Sequence, residues 1–192
     1  AASILPDDFG RLIDEHGGRI DLDAGVLRVL HAGSFTDDPT RILRAVRFQA
    51  RFGFSIEPGT ETLLHEAARS GALDTVSGER IMNELTLMLA EKDPAPALIR
   101  LVTWKLTAAV RPCWAPDAAR VERLLSGLAT LPQRSPLTPL LALLASAAPS
   151  CRESVMDRLR ASRELRDLVR DLERYEAHAA DPIGAEADIK RS

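Results

Sequence analysis

Residues 34–54 read SFTDDPTRILRAVRFQARFGF. Two adjacent acids precede a proline, and arginines follow at every third position, Arg41, Arg44 and Arg47, with Arg51 one turn later. Asp38 suits an N-cap, because its carboxylate can accept from the unpaired amides of a first turn. Pro39 suits the first helical position, where no donor is needed and φ is already set by the ring. Gly53 suits a left-handed residue that ends a helix. These signals predict a helix over about 39–52. At about 100° per residue the four arginines share roughly one third of its circumference, with Ile42, Ala45, Val46, Gln49 and Ala50 on the remainder. Two readings of that ridge are open. One is a solvated basic face. The other is a grip on an anion, since no acid within the helix stands four residues from these arginines. The ridge also begins beside Asp37 and Asp38. A carboxylate next to a guanidinium presents an acceptor and a donor fork to the edge of a nucleobase, and arginines further along reach phosphates. The spacing predicts Asp38, Arg41, Arg44 and Arg47 on one accessible face, with Ile42 and Val46 buried.

The whole chain sets the bounds on that reading. It has 192 residues, enough for one large domain or two small ones. Aromatic residues are only 4% while leucine and alanine dominate, which favours packed helices over a β-sandwich. Net charge is −3, so a nucleic-acid site has to be a local patch. Lysine stands only at Lys92, Lys105 and Lys190, leaving nearly all positive charge on arginine. Cys113 and Cys151 are far apart and lack a C-x-x-C context, so they read as free thiols in a reducing compartment. The sequence has no apolar run as long as a membrane span and no charged-then-apolar leader. The expected location is cytoplasmic.

Helix after helix is expected beyond residue 38. Predicted spans are about 59–70, 77–91, 94–106, one opened by Pro116-Asp117 with Val121, Leu124, Leu125 and Leu128 facing inward, 136–147, 153–161 and 162–178, with a polar, frayed tail over 181–192. Residues 1–35 differ. GRLIDEHGGRIDLDAGVLRVLH reads as short strands joined by tight turns at Gly17–Gly18 and at 23–25. Asp21-Leu22-Asp23 resembles a two-metal carboxylate pair, yet Gly33-Ser34 follows it rather than precedes it, and a turn is the simpler reading. Asp14, Gly18 and Asp21 fit a hinge whose carboxylates cap turn amides. Arg80 and Glu84 stand at i,i+4 and either pair with each other or brace the arginine helix. Arg163, Arg166, Arg170 and Arg174 have acidic neighbours and read as a solvated face. The histidines lack ligand spacing, and Trp104 and Trp114 read as core.

Three stretches together, GRLIDEHGGRIDLDAGVLRVLH, SFTDDPTRILRAVRFQARFGFSI and VSGERIMNEL, resemble the class II tRNA nucleotidyltransferases (CCA-adding enzymes) and bacterial poly(A) polymerases. The resemblance implies a mainly α fold, a multi-helix neck and body with a short N-terminal β/turn remnant of a head domain. Its implied divisions are a head remnant and hinge over 1–35, a neck carrying the nucleotide-recognition helix over 36–106, a body over 107–180 and a tail over 181–192. It further implies that Asp14, Gly18 and Asp21 are a flexible link, and that Asp38 and Arg41 pair with the incoming ATP or CTP base. Asp37 stands where many members have glutamate. By the same resemblance Arg44 and Arg47 also contact the nucleotide, and Arg80 and Glu84 support their helix. The partners implied are the 3′ end of tRNA or another RNA, nucleoside triphosphates, and a head domain in cis. The family's head carries the Gly-Ser turn and the D-x-D that binds Mg2+. Neither is recognisable in this sequence, so this chain alone is not expected to extend RNA. The competing reading is a non-enzymatic helical RNA-binding or adaptor module derived from the same family. CCA, CC, A and poly(A) addition share the motifs present here.

Overall fold

The computed structural model describes residues 14–130 and 135–180, and it is mainly α. The expectations for residues 1–13 and for the tail over 181–192 lie outside the described residues. The chain opens with α1 (Gly18–Ala24), β1 (Val26–Leu27) and a single turn of helix, α2 (Ser34–Asp37). α3 (Thr40–Phe52) follows, then β2 (Ser55–Ile56), which pairs in parallel with β1 through Val26–Ser55 and Leu27–Ile56. The remaining helices are α4 (Pro58–Arg69), α5 (Gly78–Leu89), α6 (Ala95–Thr103), α7 (Leu106–Val110), α8 (Ala118–Ala129), α9 (Thr138–Ala145), α10 (Pro149–Arg158) and α11 (Arg163–Ala180).

Local chemistry explains most of these boundaries. Gly53 takes φ 68° and its amide donates to the Gln49 carbonyl, ending α3. Glu57 caps α4 by accepting from the amides of Gly59 at 3.0 Å and Thr60 at 2.7 Å, and Pro58 follows it at the first helical position. Ser77 and Asp117 accept from the amides of Arg80 and Arg120 and start α5 and α8 in the same way. α3 packs on α5 and α6, α6 on α8, and α8 and α11 on α9. One continuous core results, in which Ile42, Val46, Leu64, Ile81, Met88, Leu98, Leu140 and Val155 are fully buried.

Two segments depart from the sequence-based expectation. Residues 18–24, expected as strand and turn, form α1. Asp14 accepts from the amides of Gly18 and Arg19, both at 2.8 Å, while Gly17 at φ 68° and Gly25 at φ 65° bracket the helix. Ile20 and Leu22 are 73% and 64% exposed, so the alternation that suggested a strand corresponds to no buried face. The helix expected over 94–106 is broken at Trp104, and Lys105 enters the left-handed region at φ 56° before α7 begins.

The α10 end is joined to the turn before α5. Arg158 Nη2 donates to the carbonyls of Leu73 at 2.8 Å and Val76 at 3.0 Å. The Arg158 carbonyl itself lies so close to Gly78 that a Cβ there would collide with it. Arg152, 2% exposed, donates to both carboxylate oxygens of Glu176 at 2.6 and 2.9 Å and so fixes α11 to α10. The α11 arginines are matched by acids as expected: Arg166 with Glu153 and Asp157, Arg170 and Arg163 with Asp167, and Arg174 with Asp171.

The reading of the cysteines as free thiols is corrected. Cys113 and Cys151 form a disulfide with their Cα atoms 5.8 Å apart. The loop after α7 folds onto the start of α10, where Trp114 and Cys151 both enter the core. A separation of 38 residues in sequence carries no information about that meeting. Among the described residues no helix is long and apolar enough to cross a membrane.

Candidate nucleotide-binding site

Asp38 sits at the junction of α2 and α3 with extended backbone, φ −141° and ψ 93°. Its Oδ1 accepts from the Thr40 hydroxyl at 2.7 Å, the Thr40 amide at 3.2 Å and Arg80 Nη2 at 2.9 Å. The Thr40 hydroxyl, followed by the Thr40 amide and the Arg80 charge, holds the carboxyl below the ordinary aspartate value against the opposing effect of partial burial. Three donors thus occupy one oxygen, while Oδ2 has no partner among the described residues. The carboxylate is ionised and aimed, with one acceptor atom left over.

Arg41 and Arg44 are exposed, and among the described residues neither lies within 4.0 Å of a carboxylate. Arg41 Nη1 donates to the Ser34 carbonyl at 3.3 Å, which steadies the guanidinium and leaves other N–H groups outward. The Arg44 guanidinium lies 5.9 Å from the Phe48 ring centroid. Arg41, Arg44, Arg28, Val29, Phe35 and Phe48 line a cleft of about 170 Å3, which adjoins a hollow of about 330 Å3 floored by Arg28, His31, Ser34 and Arg41.

Arg47 departs from the expectation of a fully accessible ridge. It is 9% exposed and faces α5, 3.4 Å from Glu84 Oε2 and 3.6 Å from Glu91 Oε1. The physical reason is the geometry of the spacing. Three residues advance about 300°, so each arginine falls back roughly 60° on the helix surface, and the third reaches the edge of the buried face. Ile42 and Val46 are fully buried as expected.

Arg80 and Glu84 do not pair with each other. Arg80 takes Asp38 and Glu84 takes Arg47, so α5 holds α3 at two points. Asp37 is exposed, with Oδ2 3.7 Å from His31 Nε2. Asp14, as described, caps α1, and hydrogen bonds from the Arg19 and Gly18 amides hold its carboxyl below the usual range. The left-handed residue of this segment is Gly17, whereas Gly18 begins the helix. Asp21 accepts from Arg28 Nε at 3.0 Å, tying α1 to the end of β1. Sequence reasoning missed Arg28, which lines the cleft from the opposite side to α3; its position after a two-residue strand carried no motif.

The resemblance implies magnesium. Asp21 and Asp23 do not fit a metal pair, because Asp21 is held by Arg28 and Asp23 lies 3.8 Å from Arg19 on a short helix. Among the described residues no group of three or more His, Cys, Asp or Glu could share an ion. No metal-dependent step is assigned to these residues.

Comparison with known proteins agrees with the geometry. The family described as "Probable RNA and SrmB-binding site of polymerase A" matches residues 53–117. An A-adding tRNA nucleotidyltransferase of Geobacter sulfurreducens is 45% identical over 101 residues, covering 53% of this chain and 12% of that protein. A multifunctional CCA protein of Laribacter hongkongensis is 37% identical over 138 residues, covering 71% of this chain and 31% of that protein. The chain therefore spans less than a third of the length of these two relatives. Among solved structures, the Thermotoga maritima CCA-adding enzyme complexed with tRNA superposes with a TM-score of 0.73 at 35% identity, over 88% of this chain and 43% of that one. A CCA-adding enzyme with CTP superposes with a TM-score of 0.75 at 36% identity, over 88% and 42%. Matching motifs, matching helices and an α3 braced by α5 lead to one conclusion: the chain is similar to part of the tRNA nucleotidyltransferases, spanning less than half the length of each of these four.

Proposed function

We propose that this chain selects the incoming nucleotide and holds the RNA for an enzyme that adds AMP, and in a CCA-adding member CMP as well, to RNA 3′ ends in the cytoplasm. Residues 36–106 are the neck and 107–180 the body, with 1–35 as hinge and head remnant and 181–192 as a tail. The observation that carries the proposal is the start of α3, where among the described residues Asp38 Oδ2 is a free, ionised acceptor and Arg41 a donor fork without a carboxylate partner. Adenine and cytosine each present an amino donor beside a ring-nitrogen acceptor. Guanine and uracil present a carbonyl acceptor beside an N–H donor. An acceptor next to a donor fork therefore matches the first pair and opposes the second. Arg44 and Arg28, on facing sides of the cleft, supply positive charge for the triphosphate. Arg47 positions α3 through Glu84 and Glu91.

The test is equilibrium binding of the four nucleoside triphosphates to this chain. ATP and CTP are expected to bind at least about tenfold tighter than GTP and UTP, a gap of roughly 1.4 kcal/mol. Equal affinities would remove the base-reading role.

A further inference from the structure

We infer that the hollow between the end of α4 and the α6–α7 break is a second site, one that takes a phosphodiester of the RNA rather than the incoming nucleotide. The inference rests on the RNA-extending reading above. His65, Arg69, Thr103, Trp104, Lys105 and Ala108 line a volume of about 580 Å3, larger than the cleft beside α3. Arg69 and Lys105 are exposed, and among the described residues neither has a carboxylate within ion-pair distance. Arg100 is likewise unpaired by acid and lies over the Trp104 indole, 5.0 Å from the ring centroid. His65 meets the same indole edge-on at 5.2 Å and reaches Glu61 at 3.8 Å.

The backbone supplies an independent observation. Lys105 holds φ 56°, a conformation disfavoured for any residue with a Cβ. That residue breaks α6 from α7 and places its side chain on the hollow. Strain of this kind concentrates where a side chain has a task.

The chemistry selects the ligand. An arginine fork and a lysine point charge suit phosphate oxygens. Trp104 has a cation on one face, so the indole carries Arg100 rather than offering both faces to a base. The contact is therefore independent of base identity, as expected for the body of an RNA rather than for a nucleotide that must be chosen. All the lining residues fall within the stretch that matches the RNA-binding family.

The experiment uses the whole chain, with a fluorescent acceptor-stem hairpin of tRNA as probe and ATP titrated separately. Arg69→Ala and Lys105→Gly are each expected to weaken hairpin binding about 3- to 10-fold at roughly 0.1 M salt. Each should also lower the slope of log affinity against log salt by about 0.7–0.9, the loss of one phosphate contact. ATP affinity should be unchanged in both, whereas Arg41→Ala should give the converse. Lys105→Gly relieves the left-handed strain, so its Tm should hold or rise while RNA affinity falls, which a merely structural lysine would not do. If the double variant binds the hairpin with parental affinity and slope, the site is refuted while the RNA reading stands, and an acidic protein segment becomes the better occupant. If the parent chain fails to bind the hairpin, both are refuted. Failure of ATP binding alone refutes only the α3 reading.

Discussion

Arg41, Arg44 and Arg47 carry the same guanidinium at the same spacing, and their surroundings give them different work. Arg41 is steadied by a carbonyl and open to solvent, Arg44 leans on an aromatic ring, and Arg47 is enclosed by two glutamates. In an enzyme that joins this chain to a catalytic head, Arg41→Ala should erode discrimination between ATP or CTP and GTP or UTP by about 1–3 kcal/mol in kcat/KM. Arg44→Ala should lower all four more evenly. Equal losses for both variants would show that Arg41 does not read the base. Arg47→Ala should act through the fold instead, costing roughly 3 kcal/mol of stability in chemical denaturation because the largely buried Glu84 loses its cation, while Glu91 keeps Arg51 at 3.5 Å. Asp38 makes a claim about pH. Its carboxyl is held below 3.8, so its contribution is complete above that value and is lost as pH falls through the lowered one. Asp38→Asn should therefore lower Tm at neutral pH, and the gap from the parent should close as pH drops below about 4. The residue types of this site were legible in the sequence, but Arg47's burial was not. The acids that enclose it stand 37 and 44 positions away, on α5 and in the bend just after it, and a one-third arc still contains the border between water and core.

The helices that the sequence announced clearly are those with their own chemical punctuation. Gly53 closes α3, Glu57 with Pro58 opens α4, Ser77 opens α5 and Asp117 opens α8, each by a contact within a few residues. Where the deciding contact is distant or conformational, the reading failed. α1 looked like strand because Ile20 and Leu22 alternate with polar residues, and only a view of what surrounds them shows that no described residue covers them. The α6–α7 break depends on a lysine in a glycine-like conformation, which composition does not advertise. Gly78 is a similar case with a measurable outcome. It begins α5 directly beneath the Arg158 carbonyl, so Gly78→Ala should force that contact apart and cost about 1–3 kcal/mol, seen as a lower denaturation midpoint with unchanged slope. A parental midpoint would show that the α10 end is free to give way.

Across the molecule, long-range ties join the part that carries α3 to the helices that follow. Arg158 fastens α10 to the turn before α5, and the Cys113–Cys151 disulfide closes a loop across the α7–α10 contact. Closing a loop of 38 positions is worth about 4 kcal/mol in the chain-entropy account. Reduction, or Cys151→Ser, should lower Tm by several degrees while ATP affinity at α3 is unchanged; a fall in affinity would reveal coupling between the two ends. The sequence hid this cross-link because pairing depends on the folded path and not on spacing. Asp38 and Arg47, meanwhile, lie nine positions apart in the sequence, one just before α3 and one two turns into it, and both are gripped by α5. A shaft keyed at two places cannot turn, since any roll about its own axis would tear both fastenings at once. On the reading proposed above, adjustment from one nucleotide to another would then fall to the side chains of Asp38 and Arg41 rather than to a roll of this helix.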